Sequence, residues 1–270
     1  MSKYRKQHVV SKTYLKHFSI NSDGHNLFVI DSSNLMKPGI QKKNSGDRIF
    51  WEENYSDSCL FQDKKTIEKF FGMEIEPTYN KIIHAIEKER EGVSFMAKQN
   101  LINWVFYTKM RSPIWEETTD GQRNRYSQQL HLENFTNIDR FNIAKKKFEM
   151  DALNKRWTIY KSPFGKYWWT TDNPGYCIDL KKLEVERCLS PDVYCDLSGA
   201  DSILFYPLTK KICLCIHAYN KGENIFMNLR NTPISFETPN LQLYNLINHY
   251  TRLSQKRLII SAEVGSLVSA

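Results

Sequence analysis

The segment Trp168–Pro174, "WWTTDNP", sets two hydroxyls, a carboxylate and a carboxamide directly after two tryptophans, and a proline closes it. A carboxylate in such company can hold a divalent cation, orient a histidine or take part in proton transfer. The same residues also make ordinary turn chemistry. Asp and Asn are poor in a central strand and good in a turn, and Pro174 has no N–H to give to a ladder. Two readings stand side by side: an Asx turn stopped by proline, and a polar cluster at a strand end, where loops on a rigid scaffold often carry sites.

Three further groupings invite chemistry. Cys213, Cys215 and His217 alternate, so on a strand all three share one face. Soft ligands on one face suggest zinc, but residues two apart on a strand lie roughly 6.5–7 Å apart at Cα. Structural zinc draws its pairs from tight turns, so a core-facing strand is the preferred reading. Glu68 and Glu76, with Glu74 between them, lie on one amphipathic stretch and are spaced two turns apart on similar faces. They suit a metal or a bound cation, and equally a solvated flank. Glu76 directly precedes Pro77, where a kink would free backbone carbonyls. Arg111 in "KMRSP" either complements a helix end or grips phosphate or carboxylate through two N–H groups.

The elements that must position these groups are legible from periodicity. "HVVSKTYLKHF" reads as a short helix, and "HNLFVIDSS" and "GIQKKNSGDRIFW" as short strands forming a hairpin or meander. Ile67, Phe70, Phe71, Ile75, Tyr79, Ile82, Ile83 and Ile86 recur at three- and four-residue steps from Lys64 to Lys88, with a kink or break predicted at Pro77. A second helix is expected over Ala97–Met110 and a third, more polar one over about Gly121–Asn154. After Lys155 the pattern turns to strands. "RWTIYKS" and "KYWWTTD" flank Pro163-Phe164-Gly165, and "DSILFYPL" and "KKICLCIHAY" flank Thr209-Lys210. "FETPNLQLYNLINHYTRLS" reads as a helix with Thr238 as N-cap and Pro239 first, before a closing strand "KRLIISAEV". The expected class is α+β, a helical N-terminal half packed on a mainly antiparallel C-terminal sheet. It is read as a single domain over 1–270 that divides at most at residue 154.

With 41% hydrophobic residues, 15 Phe, 14 Tyr and 6 Trp in 270, a packed core is expected rather than disorder. A formal charge of +8 favours polyanionic partners, nucleic acid first among them, and "QRNRY", "KKKF" and "NKRW" set cations beside aromatics. The N-terminus is basic without the apolar stretch of a secretory signal, and no apolar run approaches a membrane span, so a cytoplasmic protein with no membrane partner is expected. The six cysteines form no CxxC pair and read as free thiols in a reducing compartment. There is no P-loop, GxSxG, HExxH or zinc-finger spacing.

"QHVVSKTYLKHFS", "TTDNP" and "FYPLT", in that order, resemble the domain-of-unknown-function family 4238 (DUF4238). Its opening pattern falls here on His8, Tyr14, Leu15 and Phe18, its Thr-Asp-Asn-Pro turn on Thr171–Pro174, and its Pro-Leu segment on Pro207 and Leu208. "TIEKFFGMEIEP" resembles the family's paired-glutamate helix through Glu68 and Glu76, and "KMRSP" its Arg-x-Pro segment through Arg111 and Pro113. The closing helix and strand resemble those of the family too. Ser11 stands where many members have Gln, and Val10 where they have Pro. The resemblance implies an architecture and a list of polar positions, and no reaction.

If those positions converge, they make a hydrolytic set. His8 would act as general acid or base, Arg111 would clamp a phosphate, and Asp172 and Asn173 would complete the catalytic group. Glu76 and Asp172 would hold Mg2+ or Mn2+. The expectation is a hydrolase of phosphodiester bonds, of nuclease type, serving as a toxin or anti-phage effector. The alternative is a non-catalytic binding or sensor protein, with a protein partner or a second copy of itself, whose polar motifs are structural.

Overall fold

The computed structural model describes residues 6–33, 39–53, 71–88, 95–110, 137–179, 201–218 and 234–268. In chain order the strands are β1 (Lys6–His8), β2 (Leu27–Asp31), β3 (Ile40–Lys43), β4 (Trp51–Glu53), β5 (Trp157–Lys161), β6 (Thr170–Thr171), β7 (Tyr176–Asp179), β8 (Ser202–Pro207), β9 (Ile212–Ile216), β10 (Ser235–Glu237) and β11 (Leu258–Ser261). The helices are α1 (Lys12–Lys16), α2 (Glu76–Lys88), α3 (Phe95–Met110), α4 (Asn137–Leu153), α5 (Leu241–Leu253) and α6 (Val264–Val268). The fold is mixed α+β.

Among the described residues three sheets form: β1-β4, a five-stranded sheet β10-β5-β9-β8-β7, and a four-stranded sheet β3-β2-β11-β6. Pairing is antiparallel apart from β10 on β5, which is parallel. Strands are therefore not confined to the second half of the chain. The four-stranded sheet takes β2 and β3 from one side of residue 154 and β6 and β11 from the other, because β11 pairs in register with β2 from Leu258↔Asp31 to Ser261↔Phe28.

Side-chain alternation explains why β9 reads as continuously apolar. Ile159, Leu204, Tyr206, Leu214 and Ile216 point into the larger core, shared with Tyr14, Tyr79, Ile83 and Trp104 of α1–α3. Their neighbours Tyr160, Phe205, Cys213 and Cys215 point to the opposite face, where Tyr244 and Ile247 of α5 cover them with Trp168. A sheet covered on both faces needs apolar groups at every position. The two cysteines are thus core residues, as expected, and burial pushes both thiols up, away from the thiolate a metal would take. His217 directly follows the C-terminal end of this strand and shares a 2.7 Å hydrogen bond with Thr158.

Several local expectations change. Lys64–Phe70 lies outside the described residues; Phe71–Ile75 forms a π-helical turn that runs straight into α2. Pro77 is the second residue of α2, directly after the point where π-helical winding gives way to α-helical, so the helical ladder is irregular beside the proline. α5 is capped by Asn240, whose side chain accepts from the Leu243 amide at 2.8 Å, which leaves Thr238 and Pro239 outside the helix. The Pro163–Gly165 turn forms, but the strands flanking it do not make a hairpin. β5 pairs with β9, while the chain beyond the turn crosses to β11, because the Trp168 and Trp169 amides are bound by Lys210 O and Asn248 Oδ1. The expected helix over His8–Phe18 shortens to α1, with Ser11 as its N-cap and His8 left on β1. Within the third expected helix, α4 covers Asn137–Leu153, and residues 121–136 lie outside the described residues.

Candidate functional site

Thr170 and Thr171 of β6 pair with Ile260 and Ile259 of β11, and the chain turns at Asp172. Asp172 Oδ1 accepts the Lys256 amide at 3.0 Å, and Oδ2 accepts the Arg257 amide at 2.8 Å. Its own amide donates to Leu258 O. An Asx turn would require the amide two residues on, and Pro174 has none; the carboxylate instead clamps the approach to β11, some 85 residues further along. Asp172 is only 3% exposed. Burial pushes its carboxyl up to about 6, against the backbone N–H groups that pull it down.

Asn173 is 4% exposed and bonded at both ends of its side chain. Its Oδ1 accepts from Lys109 Nζ at 2.7 Å and its Nδ2 donates to Ser254 O at 2.9 Å. Lys109, in the last turn of α3, also donates to Gly175 O at 2.6 Å. Gly175 has φ +74°, and a Cβ there would lie 2.3 Å from the Tyr206 ring. Only glycine lets the chain leave this turn.

Arg257 ties the clamp to the far strand. Its Nε and Nη2 donate to Asp31 Oδ1 and Oδ2 at 2.9 and 2.6 Å, and its carbonyl accepts from Ser32 N and Oγ. The guanidinium hydrogen bonds hold the Asp31 carboxyl down, at about 2.

Tyr14 joins the opening segment to both later ones. Its hydroxyl donates to Pro207 O at 2.6 Å, so its 2.7 Å contact with Thr170 Oγ1 is accepted from the threonine. Tyr79 Oη donates to Leu208 O, and its ring stacks on Trp104 at 3.9 Å. Burial pushes both tyrosine hydroxyls well up, keeping their protons in place as donors. Ser11 caps α1 by accepting from the Tyr14 amide, so the residue found where many members have Gln does local work in orienting Tyr14.

The other sequence candidates lie as follows. His8 is half-buried on β1, opposite Trp51 of β4. Glu76, half-buried at the start of α2, accepts from Thr13 Oγ1 at 3.5 Å. Arg111 and Glu68 lie outside the described residues. The structure thus joins Asp172 and Asn173 in one turn, whereas the described partners of the Asp172 carboxylate are backbone amides and not His8 or Glu76. Among the described residues no group of three His, Cys, Asp or Glu is placed to hold a metal ion. The residues that do most of the binding here, Tyr14, Lys109, Ser254 and Arg257, were not among the sequence candidates. Lys109 stands two places before Arg111, and Tyr14 inside the opening pattern, so proximity to the motifs was the available signal.

The family-specific segments therefore meet through Tyr14, Lys109 and the Asp172 turn, and the chain matches the family described as "Protein of unknown function (DUF4238)" over residues 6–263. The chain belongs to the DUF4238 family. No curated protein and no solved structure matches it significantly. Among the described residues of this DUF4238 chain, no helix is long and apolar enough to cross a membrane.

Proposed function

We propose that this DUF4238 protein is a nucleic-acid-binding protein and that its Thr-Asp-Asn-Pro motif is structural. One observation carries the structural half of that reading: both oxygens of the buried Asp172 are taken by backbone amides. A general base or metal ligand needs a lone pair turned toward its substrate or ion; each Asp172 oxygen already accepts a backbone amide, and at 3% exposure the carboxylate is closed off from solvent. Asn173 does the same with its carboxamide. The net charge of +8 supports the polyanionic partner.

A second reading, a phosphodiester hydrolase of nuclease type acting as a toxin or anti-phage effector, is favoured by a different observation. The segments bearing the candidate residues touch one another: Thr13 with Glu76, Tyr14 with Thr170, and Lys109 with Asn173. In that reading Asp172 and Asn173 are positioning residues, and His8, Glu76 and Arg111 carry the chemistry with Mg2+ or Mn2+.

The separating experiment incubates purified protein with labelled RNA and DNA, with and without each cation, beside His8→Ala and Asp172→Ala. The binding reading expects strands that are retained and intact in every lane. Cleavage by wild type, abolished in His8→Ala with folding preserved, would overturn it in favour of the hydrolase.

A further inference from the structure

We infer that the groove beside the Pro163–Gly165 turn binds single-stranded nucleic acid, with a base stacked on Phe164 and backbone phosphates met by Lys161 and Lys211; this deepens the nucleic-acid-binding reading above and rests on it.

The groove has a volume of ≈ 570 Å³, and its lining includes Glu87, Lys161, Phe164, Tyr167, Lys211 and Phe236. That is within the range of small-ligand sites, roughly 300–1,000 Å³. Phe164 is fully exposed at the tip of the turn. A phenyl ring left in water forgoes the burial that phenylalanine elsewhere in the chain obtains, and a turn needs no aromatic group at that position. An exposed flat ring beside cations is what a splayed base requires.

The platform is held firmly. Ser162 N donates to Lys211 O at 2.8 Å, Lys166 N to Pro163 O at 3.0 Å, and Trp168 N to Lys210 O at 2.9 Å. Gly165 closes the turn at φ +69°, with open space where a Cβ would stand. Two loops from different parts of the chain are thereby fastened into one rim.

The cations are distributed unequally between fold and rim. Lys210 is committed to the fold, with Nζ donating to Ser19 O and Ile20 O. Lys211 and Lys161 are exposed and lie over rings, Nζ of Lys211 4.4 Å from the Tyr167 centroid and Nζ of Lys161 5.5 Å from that of Phe236. Each cation therefore stands next to an aromatic face, the pairing that meets a phosphate and a base together. Glu87, on α2, is the acidic group of the lining, and it disfavours phosphate beside it. A duplex keeps its base faces inside the stack, so the ring on Phe164 selects single strands.

The test is fluorescence anisotropy of the full-length protein with labelled oligo(U) and oligo(dT) of about twelve nucleotides, a length within the usual single-strand footprint. A duplex of matched length is run beside them. Phe164→Ala should weaken single-strand binding about tenfold, and Lys211→Glu should weaken it further and flatten its salt dependence. Lys42→Glu, on β3 of the other sheet, should leave affinity unchanged. Melting temperatures of all variants should match wild type, since the altered side chains are exposed. Wild-type affinity in both Phe164→Ala and Lys211→Glu would overturn the groove and leave nucleic-acid binding to another surface. Failure of the wild type to bind any strand would overturn the groove and the binding reading together. Equal affinity for the duplex would overturn the stacking assignment.

Discussion

The Arg257 amide donates to Asp172 Oδ2 at 2.8 Å while the guanidinium of the same residue holds both oxygens of Asp31. One residue thus fastens the ends of β2 and β6 on either side of β11, the strand that separates them in the sheet. Asp172 is a clamp on this junction before it is anything else, and its consequences can be measured.

Hydrogen exchange reports the clamp locally. The Lys256 and Arg257 amides should exchange slowly in the wild type, because each is bound to a buried acceptor. In Asp172→Ala both should accelerate by an order of magnitude or more while amides of β9 keep their protection. Unchanged exchange at 256 and 257 would show that the carboxylate does not hold them.

The two carboxylates predict a two-sided pH profile of stability. Asp31 is held at about 2 in the fold, below its ordinary value, so its contribution is present above the unfolded pKa and is lost as pH falls toward 2. Asp172 is raised to about 6, so the fold binds its proton more tightly than the unfolded chain does. Its protonated form stabilises below about pH 4, and that contribution is lost as pH rises to about 6. Stability should therefore rise from pH 2 to 4 and fall from 4 to 6. Asp172→Asn should remove the falling limb and Asp31→Asn the rising one, in urea titrations at each pH. A falling limb that survives Asp172→Asn would assign it to another group.

Tyr14→Phe tests whether the opening segment is joined to the others by hydrogen bonds or by packing alone. The ring stays while Pro207 O and Thr170 Oγ1 lose their partner, at an expected cost of about 1–2 kcal/mol. A urea midpoint equal to wild type would leave packing as the sole connection.

Much of the element order was legible because it rests on local pattern: Tyr79, Ile82, Ile83 and Ile86 marked α2, and short apolar runs on either side of the Thr209-Lys210 turn marked β8 and β9. What periodicity could not give was partnership. Nothing in "KYWWTTD" says that Thr170 and Thr171 pair with a strand some 89 residues later rather than with β5. The Asp172 clamp was hidden for the same reason, since its partners are backbone amides, which carry no residue signature. Phe164 was seen only as part of a turn, because a sequence does not reveal which aromatic rings stay in water.

Gly175→Ala should be among the most damaging single changes near the motif. It demands a positive φ from alanine and brings a Cβ to 2.3 Å from the Tyr206 ring. A loss of about 2 kcal/mol or more in urea unfolding is expected. A neutral outcome would mean that the turn after Pro174 relaxes without cost.

If the Asp172 turn serves the fold and nucleic acid is bound elsewhere, as proposed, Asp172→Ala separates the two roles when stability and strand binding are measured on the same sample. Two amides lose a buried acceptor, so unfolding free energy should fall by about 3 kcal/mol and Tm by roughly 5–10 °C. Oligonucleotide affinity well below the melting point should stay within about twofold of wild type. A variant as stable as wild type that has lost strand binding, or a cleavage activity present in wild type, would contradict the account and place Asp172 in a functional site.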